Sequence, residues 1–416
     1  MNEAVNYQLA PGLRISVEPG CEHQLQILMP RFIELATDLK RVQRSPLIVE
    51  YLETVLSRFL REASLSSKSQ TMLSSRVRKL KQVLTKSNPE RRIGEIDKGD
   101  VETLKRNLPA ELRKNQRSKS QGSNIETYYQ IFNRIMDQAV EDQHLVEPNK
   151  ISVTRKKRAE QTKPFLDADL RDLFSSWPMA PYEAGSGGSL REDAQPYRFW
   201  LMPLGIFTGA RLNELCQLQV RDVIKDSDGV HLISINDNAE LKSLKNEQSR
   251  REIPISSHLI NIGFLQFVAE RRQAGGDHAM LFDELEYRNY HQYSRGPSRF
   301  FCGPRTGAGF IGRYCPQASS GGFNFKSFRR TFALQLEKSH VPAHTIAQLM
   351  GHETSGLSVT EKHYLDKSPS KMLLDHLESG LSYSINLEGV HWNCFKNLMA
   401  SQRYRSRRGR KMRARH

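Results

Sequence analysis

NFKSFRRTFA, residues 324–333, places Lys326 three residues before Arg329 and sets Arg330 beside it. On a helix, positions i and i+3 share a side, whereas adjacent residues diverge by about 100°. Lys326 and Arg329 therefore share a face that suits an anion, and Arg330 is expected to point away from it. A solvated basic helix face reads the same way locally. The choice depends on what the rest of the chain supplies.

Three further stretches bear on it. TGARLNELCQL, residues 208–218, breaks one helix and places Arg211 at the start of the next, where unpaired N–H groups already favour anions. Glu214 is expected to orient Arg211 or to cap that helix rather than act as a base. LKSLKNEQSRREIPI, residues 241–255, carries Lys242 and Lys245 in a turn before the strand-like REIPI. TIAQLMGHETSGLSVTEKHYLDKS, residues 345–368, ends a helix at Gly351-His352, and Tyr364 follows His352 by twelve residues. Taken singly, each is ordinary: a lysine in a turn is commonly solvated, and a tyrosine commonly packs. His340, His344 and His363 read as surface or packing residues.

The 416 residues include 62 Lys and Arg against 46 Asp and Glu, a formal charge of +16 with a pI near 9.6. That excess favours a polyanion, with DNA or RNA first. The longest apolar run, Phe199–Phe207, is broken by Pro203 and Gly205. It is far shorter than the roughly 20 residues a spanning helix needs, so no membrane partner is expected. The opening MNEAVNYQLAPG has no basic stretch followed by an apolar core, and no secretory signal is expected. Cys21, Cys216, Cys302, Cys315 and Cys394 are scattered and suit a reducing cytoplasm. Cys302 and Cys315 with a histidine do not match the usual ligand spacings, so no metal is expected.

Helical periodicity runs over Gln24–Leu39, Pro46–Ala63, Thr71–Thr85 and Lys98–Leu108, and Ser123 is placed as the N-cap of a long helix. The pattern divides into an N-terminal helical region (1–65), a helical domain (66–148), a basic linker (149–164) carrying VTRKKR, a second domain (165–385) and a basic tail (386–416). The tail ends in QRYRSRRGRKMRARH, residues 402–416, with seven Arg, one Lys and no acid, the pattern of a disordered polyanion-binding segment whose affinity falls steeply with salt. In the second domain Asp167 or Asp169 caps a helix, and 178–196, with GSGGS, reads as a surface loop. Strand-like runs occupy Gly229–Asn236 and Arg251–Ile255. The fold class is mainly α with a small antiparallel sheet.

The order T-G-x-R-x-x-E-L, a lysine hairpin, x-x-F-R-R-T-F-A, L-M-G-H and then a tyrosine resembles the catalytic domain of the tyrosine recombinase, or phage integrase, family over about residues 165–380. The domain at 66–148 is similar in placement and character to that family's core-binding domain. The resemblance implies an enzyme that cleaves and rejoins double-stranded DNA at specific sites without metal, ATP or other cofactor. Tyr364 is then the nucleophile, and Arg211, Lys326, Arg329 and His352 bind the phosphate. Lys245 is the general acid, with Lys242 in reserve. It further implies a homo-tetramer on paired sites of a mobile element, accessory recombination proteins, a nucleoid-associated place in the cytoplasm, and a carboxy-terminal segment docking in trans, for which residues 371–382 are the candidate. Lys326 stands where the family usually has histidine, which puts proton transfer from Tyr364 in doubt. The His352-to-Tyr364 spacing is slightly long. An impaired DNA-binding accessory protein and a type IB topoisomerase-like enzyme are the alternative readings.

Overall fold

A computed structural model describes residues 5–10, 13–18, 21–62, 67–114, 122–153, 162–178, 194–288, 292–303, 308–352 and 369–401. The chain forms two compact units, Met1–Ala159 and Glu160–His416.

The first unit opens with an antiparallel hairpin, β1 (Val5–Ala10) and β2 (Leu13–Val17), paired from Val5 with Val17 to Ala10 with Leu13. The helical reading of this region misses it. Its signal is the alternation in VNYQLA and LRISV on either side of Pro11-Gly12. The hairpin packs on α1 (Glu22–Arg44). Four helices follow: α2 (Ile48–Glu62), α3 (Ser67–Leu84), α4 (Lys98–Lys114) and α5 (Gly122–Glu141). α2 buries Ile48, Tyr51, Leu52, Val55 and Phe59, spaced by threes and fours as one helical stripe requires. Against them lie Leu80, Leu104, Leu108, Phe132 and Met136, each at most 1% exposed. α5 begins at Gly122, so Ser123 lies inside its first turn rather than capping it.

The second unit is built around α7 (Pro196–Thr208), in which every residue from Tyr197 onward except Arg198 is buried. The apolar run Phe199–Phe207 is thus a core helix, packed by Phe264, Phe267, Phe325 and Phe328. Full burial of each such side chain contributes about 1.5–3 kcal/mol. No helix among the described residues is long and apolar enough to cross a membrane. The sheet is three-stranded and antiparallel, in the order β3 (Val223–Lys225), β4 (His231–Ile235), β5 (Arg251–Pro254). Ile233 pairs with Val223 on one side and Ile253 on the other. α6 (Asp167–Ser176) precedes α7, and of the two proposed aspartates Asp169 caps it, from the third helical position, by accepting the N–H of the N-cap residue Leu166 at 2.8 Å. After α8 (Leu212–Cys216) and the sheet come α9 (Ser257–Asn261), α10 (Phe264–Gly275), α11 (Arg295–Cys302), α12 (Phe310–Tyr314), α13 (Lys326–Lys338) and α14 (Ala343–Met350).

Two carboxy-terminal expectations need correction. The segment placed at 371–382 for docking in trans lies in this chain's own core: the helix Ser370–Gly380 buries Leu373 and Leu377, and Leu381 follows at 1% exposure. The tail set to begin at 386 also starts too early. Residues 392–401 are helical, and Trp392 (3% exposed) and Phe395 (0%) pack edge-on or tilted against Phe199, Trp200 and Phe267. Reading net charge along the segment hides these two aromatics. Residues 402–416 lie outside the described residues.

Candidate active site

The site grows from the break after α7. Gly209 adopts φ 61°, left-handed geometry that ends the helix, and a Cβ there would sit 2.4 Å from the Phe332 ring. Only glycine satisfies both demands. The turn delivers Arg211 to the N-cap of α8. Glu214, three residues on, accepts the Arg211 N–H at 2.9 Å and its guanidinium at 2.6 Å. It therefore caps the helix and orients the arginine together.

Glu214 also binds Arg251, the first residue of β5, through Oε2 at 2.9 Å. Both side chains are buried, 4% and 3% exposed. Arg251 donates Nε to the Leu349 carbonyl at 2.7 Å and Nη1 to the Ser249 carbonyl at 2.8 Å. Arg211 reaches the Ser249 hydroxyl at 3.1 Å. From α13, Arg329 donates to the Gly209 carbonyl at 2.8 Å and to the Met350 carbonyl. Two arginines thus satisfy the last carbonyls of α14, the negative end of that helix. Gly351, at φ 59°, ends the helix directly above Arg251, and His352 follows.

The electrostatics are one-sided. Among the described residues, three guanidinium groups surround a single carboxylate. Burial alone would raise the Glu214 carboxyl, but Arg251 and Arg211 outweigh it and hold it below its usual range. Burial first, then Arg211 and Arg251, lowers Arg329 to about 9, which leaves it charged at neutral pH. Burial, then Arg329, Arg211, Arg251 and Lys245, lowers His352, so its imidazole is neutral at pH 7. A neutral imidazole keeps one N–H donor for an oxygen.

The two candidate lysines separate. Lys242 is 2% exposed and binds Asp222 at 2.8 and 3.0 Å and Asn236 at 2.7 Å. Gln217 brackets the next residue, accepting the Ser243 N–H at 3.1 Å and donating to its carbonyl at 3.2 Å. The connection is not a tight β-turn but a loop over residues 236–250, fixed at these points, with Lys245 exposed on its outer part. Among the described residues the Lys245 and Lys326 ammonium groups have no carboxylate or hydrogen-bond partner. Lys242→Ala is expected to cost about 3 kcal/mol by stranding the buried Asp222. Lys245→Ala is expected to stay within about 0.5 kcal/mol of wild type. Thermal melts of both variants check this.

Lys326 is exposed at the first position of α13, its N–H bonded to Asn324 Oδ1 at 2.9 Å. Arg330 leaves the cluster and donates to the Thr162 carbonyl. His340 is exposed and His344 half-buried. Tyr364 and His363 lie outside the described residues. The sequence reading missed Arg251. Its signal is register: Arg251, Ile253 and Ile255 alternate inward, and a charge in an inward position needs a buried partner. Cys315 instead donates to Asp169 at 3.3 Å, and the described residues contain no metal-binding group.

Residues 194–371 match the model of the Phage integrase family. No curated protein matches the sequence. Among solved structures, the chain is similar to a lambda integrase dimer bound to a COC' core site, with 14% identity, TM-score 0.48, and 87% of this chain and 92% of that one covered. It is also similar to the Tn1549 transposon integrase in complex with transposon right end DNA, with 14% identity, TM-score 0.49, and 79% and 94% covered. A lambda integrase tetramer bound to a Holliday junction matches at 14% identity and TM-score 0.48, over 84% and 93%.

Proposed function

From the premise that residues 194–371 are a phage integrase family domain, that of the tyrosine recombinases, we propose that this protein cleaves and rejoins DNA through a 3′-phosphotyrosine intermediate. The observation that carries the reading is the cationic cluster of Arg211, Arg329 and His352 beside the unpaired Lys245. It is organised by buried bonds and has net charge to spare for a phosphate.

In the proposed reaction the Tyr364 hydroxyl passes its proton to solvent water as its oxygen bonds to a backbone phosphorus. The bond from phosphorus to the 5′-oxygen breaks, and Lys245 protonates that leaving oxygen. The pentacoordinate transition state gathers charge on the non-bridging oxygens, where fixed guanidinium groups bind it better than the ground-state diester. His352 donates to one of these oxygens. The phosphotyrosine conserves the energy of the broken bond, so the reverse attack by a 5′-hydroxyl reseals DNA without ATP, and the cluster supplies the positive charge a metal would bring. Double-stranded DNA is the partner, in a homo-tetramer acting for a mobile element, in the cytoplasm with the nucleoid.

The test is a suicide substrate made from the ends of its own element, assayed for a covalent complex resistant to SDS. No adduct with wild-type protein on the correct site refutes the reading. Lys326 serves as a charge clamp where histidine is usual. Lys326→Ala is expected to slow cleavage by about 100-fold with DNA binding retained, and Lys326→His to retain activity. Unchanged cleavage, or loss of DNA binding, in Lys326→Ala overturns that role.

A further inference from the structure

α1 carries apolar residues where the first unit leaves them open. Leu28, Phe32, Leu35 and Leu39 recur at intervals of four, three and four, the spacing of a coiled-coil stripe. Leu28, Leu35 and Leu39 are 42%, 49% and 36% exposed. Phe32 is half-buried, and Ala36, on the flank beyond it, is covered at 5%. The helix is thus covered at Ala36 and bare along the stripe, with Ile27 (66%) and Ile33 (55%) also exposed to either side of it. Pro30 falls on the opposite side, where its missing N–H leaves the stripe intact.

The other flank of the stripe is charged. Arg31 and Asp38 are seven residues apart, one heptad, and Asp38 keeps 48% of its side chain exposed while it holds Arg41. Aligned antiparallel with itself, α1 sets Leu28 against Leu39 of the second copy and Phe32 against Leu35. The same register brings Arg31 of each copy to Asp38 of the other. A parallel pair would set Arg31 near Ala36 and Asp38 near Gln43, with no charge match. The self-complementarity singles out one occupant.

We infer that α1 is a self-association surface through which two copies of this chain pair antiparallel in the absence of DNA. This inference is independent of the catalytic reading, since no site residue takes part. A stripe of four layers is short, and the pairing is reversible, with a Kd on the order of micromolar.

The experiment is sedimentation of the full chain without DNA over a concentration series. Wild type is expected to form a reversible dimer. Leu35→Lys, a change at an exposed position, should leave the helical circular dichroism unchanged and abolish the dimer. Arg31→Asp alone sets aspartate against aspartate, and Asp38→Arg alone sets arginine against arginine, so each is expected to weaken pairing by about tenfold or more. An equimolar mixture of these two variants restores both opposite-charge contacts and is expected to recover dimer to within about threefold of wild type. A monomer at every concentration would overturn the inference, whether the face is covered by the chain's second unit or kept for another protein. A dimer indifferent to Leu35→Lys, or a mixture that fails to recover, would do so equally.

Discussion

Tyr364→Phe is expected to abolish the SDS-resistant complex on a suicide substrate and to lower strand cleavage by at least about 10⁴-fold. The change removes one oxygen, the atom that bonds to phosphorus in the proposed reaction. Arg211, Arg329 and His352 remain in place, so binding of the same duplex in a gel-shift assay is expected to stay within about threefold of wild type. Among the described residues after the His352 turn, Tyr383 is not placed to substitute for it: the ring is half-buried and its hydroxyl donates to the Ile206 carbonyl at 3.1 Å. An adduct that persists in Tyr364→Phe would refute the nucleophile and not the phosphate pocket. Loss of DNA binding would point instead to a packing role for the ring.

Glu214→Ala carries the second large effect, and on stability as well as activity. Among the described residues, it removes the one carboxylate bound to this group of three guanidiniums and leaves Arg251, 3% exposed, charged and without its ion-pair partner. Breaking a buried pair from one side costs about 3–5 kcal/mol, and here the N-cap bond of α8 is lost too. A melting temperature lower by about ten degrees is expected, with cleavage reduced because Arg211 loses its orienting partner. Glu214→Gln preserves shape and one acceptor and should fall between. The pH dependence has a defined sign. The Glu214 carboxyl is held below its ordinary value of 4.5, so its contribution is fully present above that value and lost as pH falls through the lower folded-state value. The stability gap between wild type and Glu214→Gln should therefore narrow in acid. A gap constant down to pH 3 would contradict the ion-pair account.

The sequence made the second unit legible because its landmarks are local. A glycine that must turn, an arginine just after it and a helix that must end at Gly351 each announce themselves within a few residues. What escaped was set by contacts distant in the chain. Arg251 was legible only as the start of a strand, and its contacts with Glu214 and Leu349 come from chain segments 37 and 98 residues away. Lys242 and Lys245 are equivalent by composition, and only the packing of Asp222 and Asn236 separates the buried lysine from the free one. The carboxy-terminal misreading has the same cause: the charge of 402–416 dominates its neighbourhood, while Trp392 and Phe395 find their aromatic partners more than a hundred residues earlier. The amino-terminal hairpin was missed because α1, next to it, carries the stronger periodic signal.

The grip of Arg251 and Arg329 on the end of α14 has a kinetic meaning for the proposed reaction. The sixteen residues from 353 to 368 start three residues after a carbonyl pair held by these arginines, and end just before the helix Ser370–Gly380, which enters the core. Both anchors are set when the unit folds. In the proposed reaction, whether the Tyr364 hydroxyl can reach the phosphate depends on the number of residues between these two anchors. Shortening that stretch should end cleavage abruptly when reach fails, whereas lengthening it should slow the reaction by degrees.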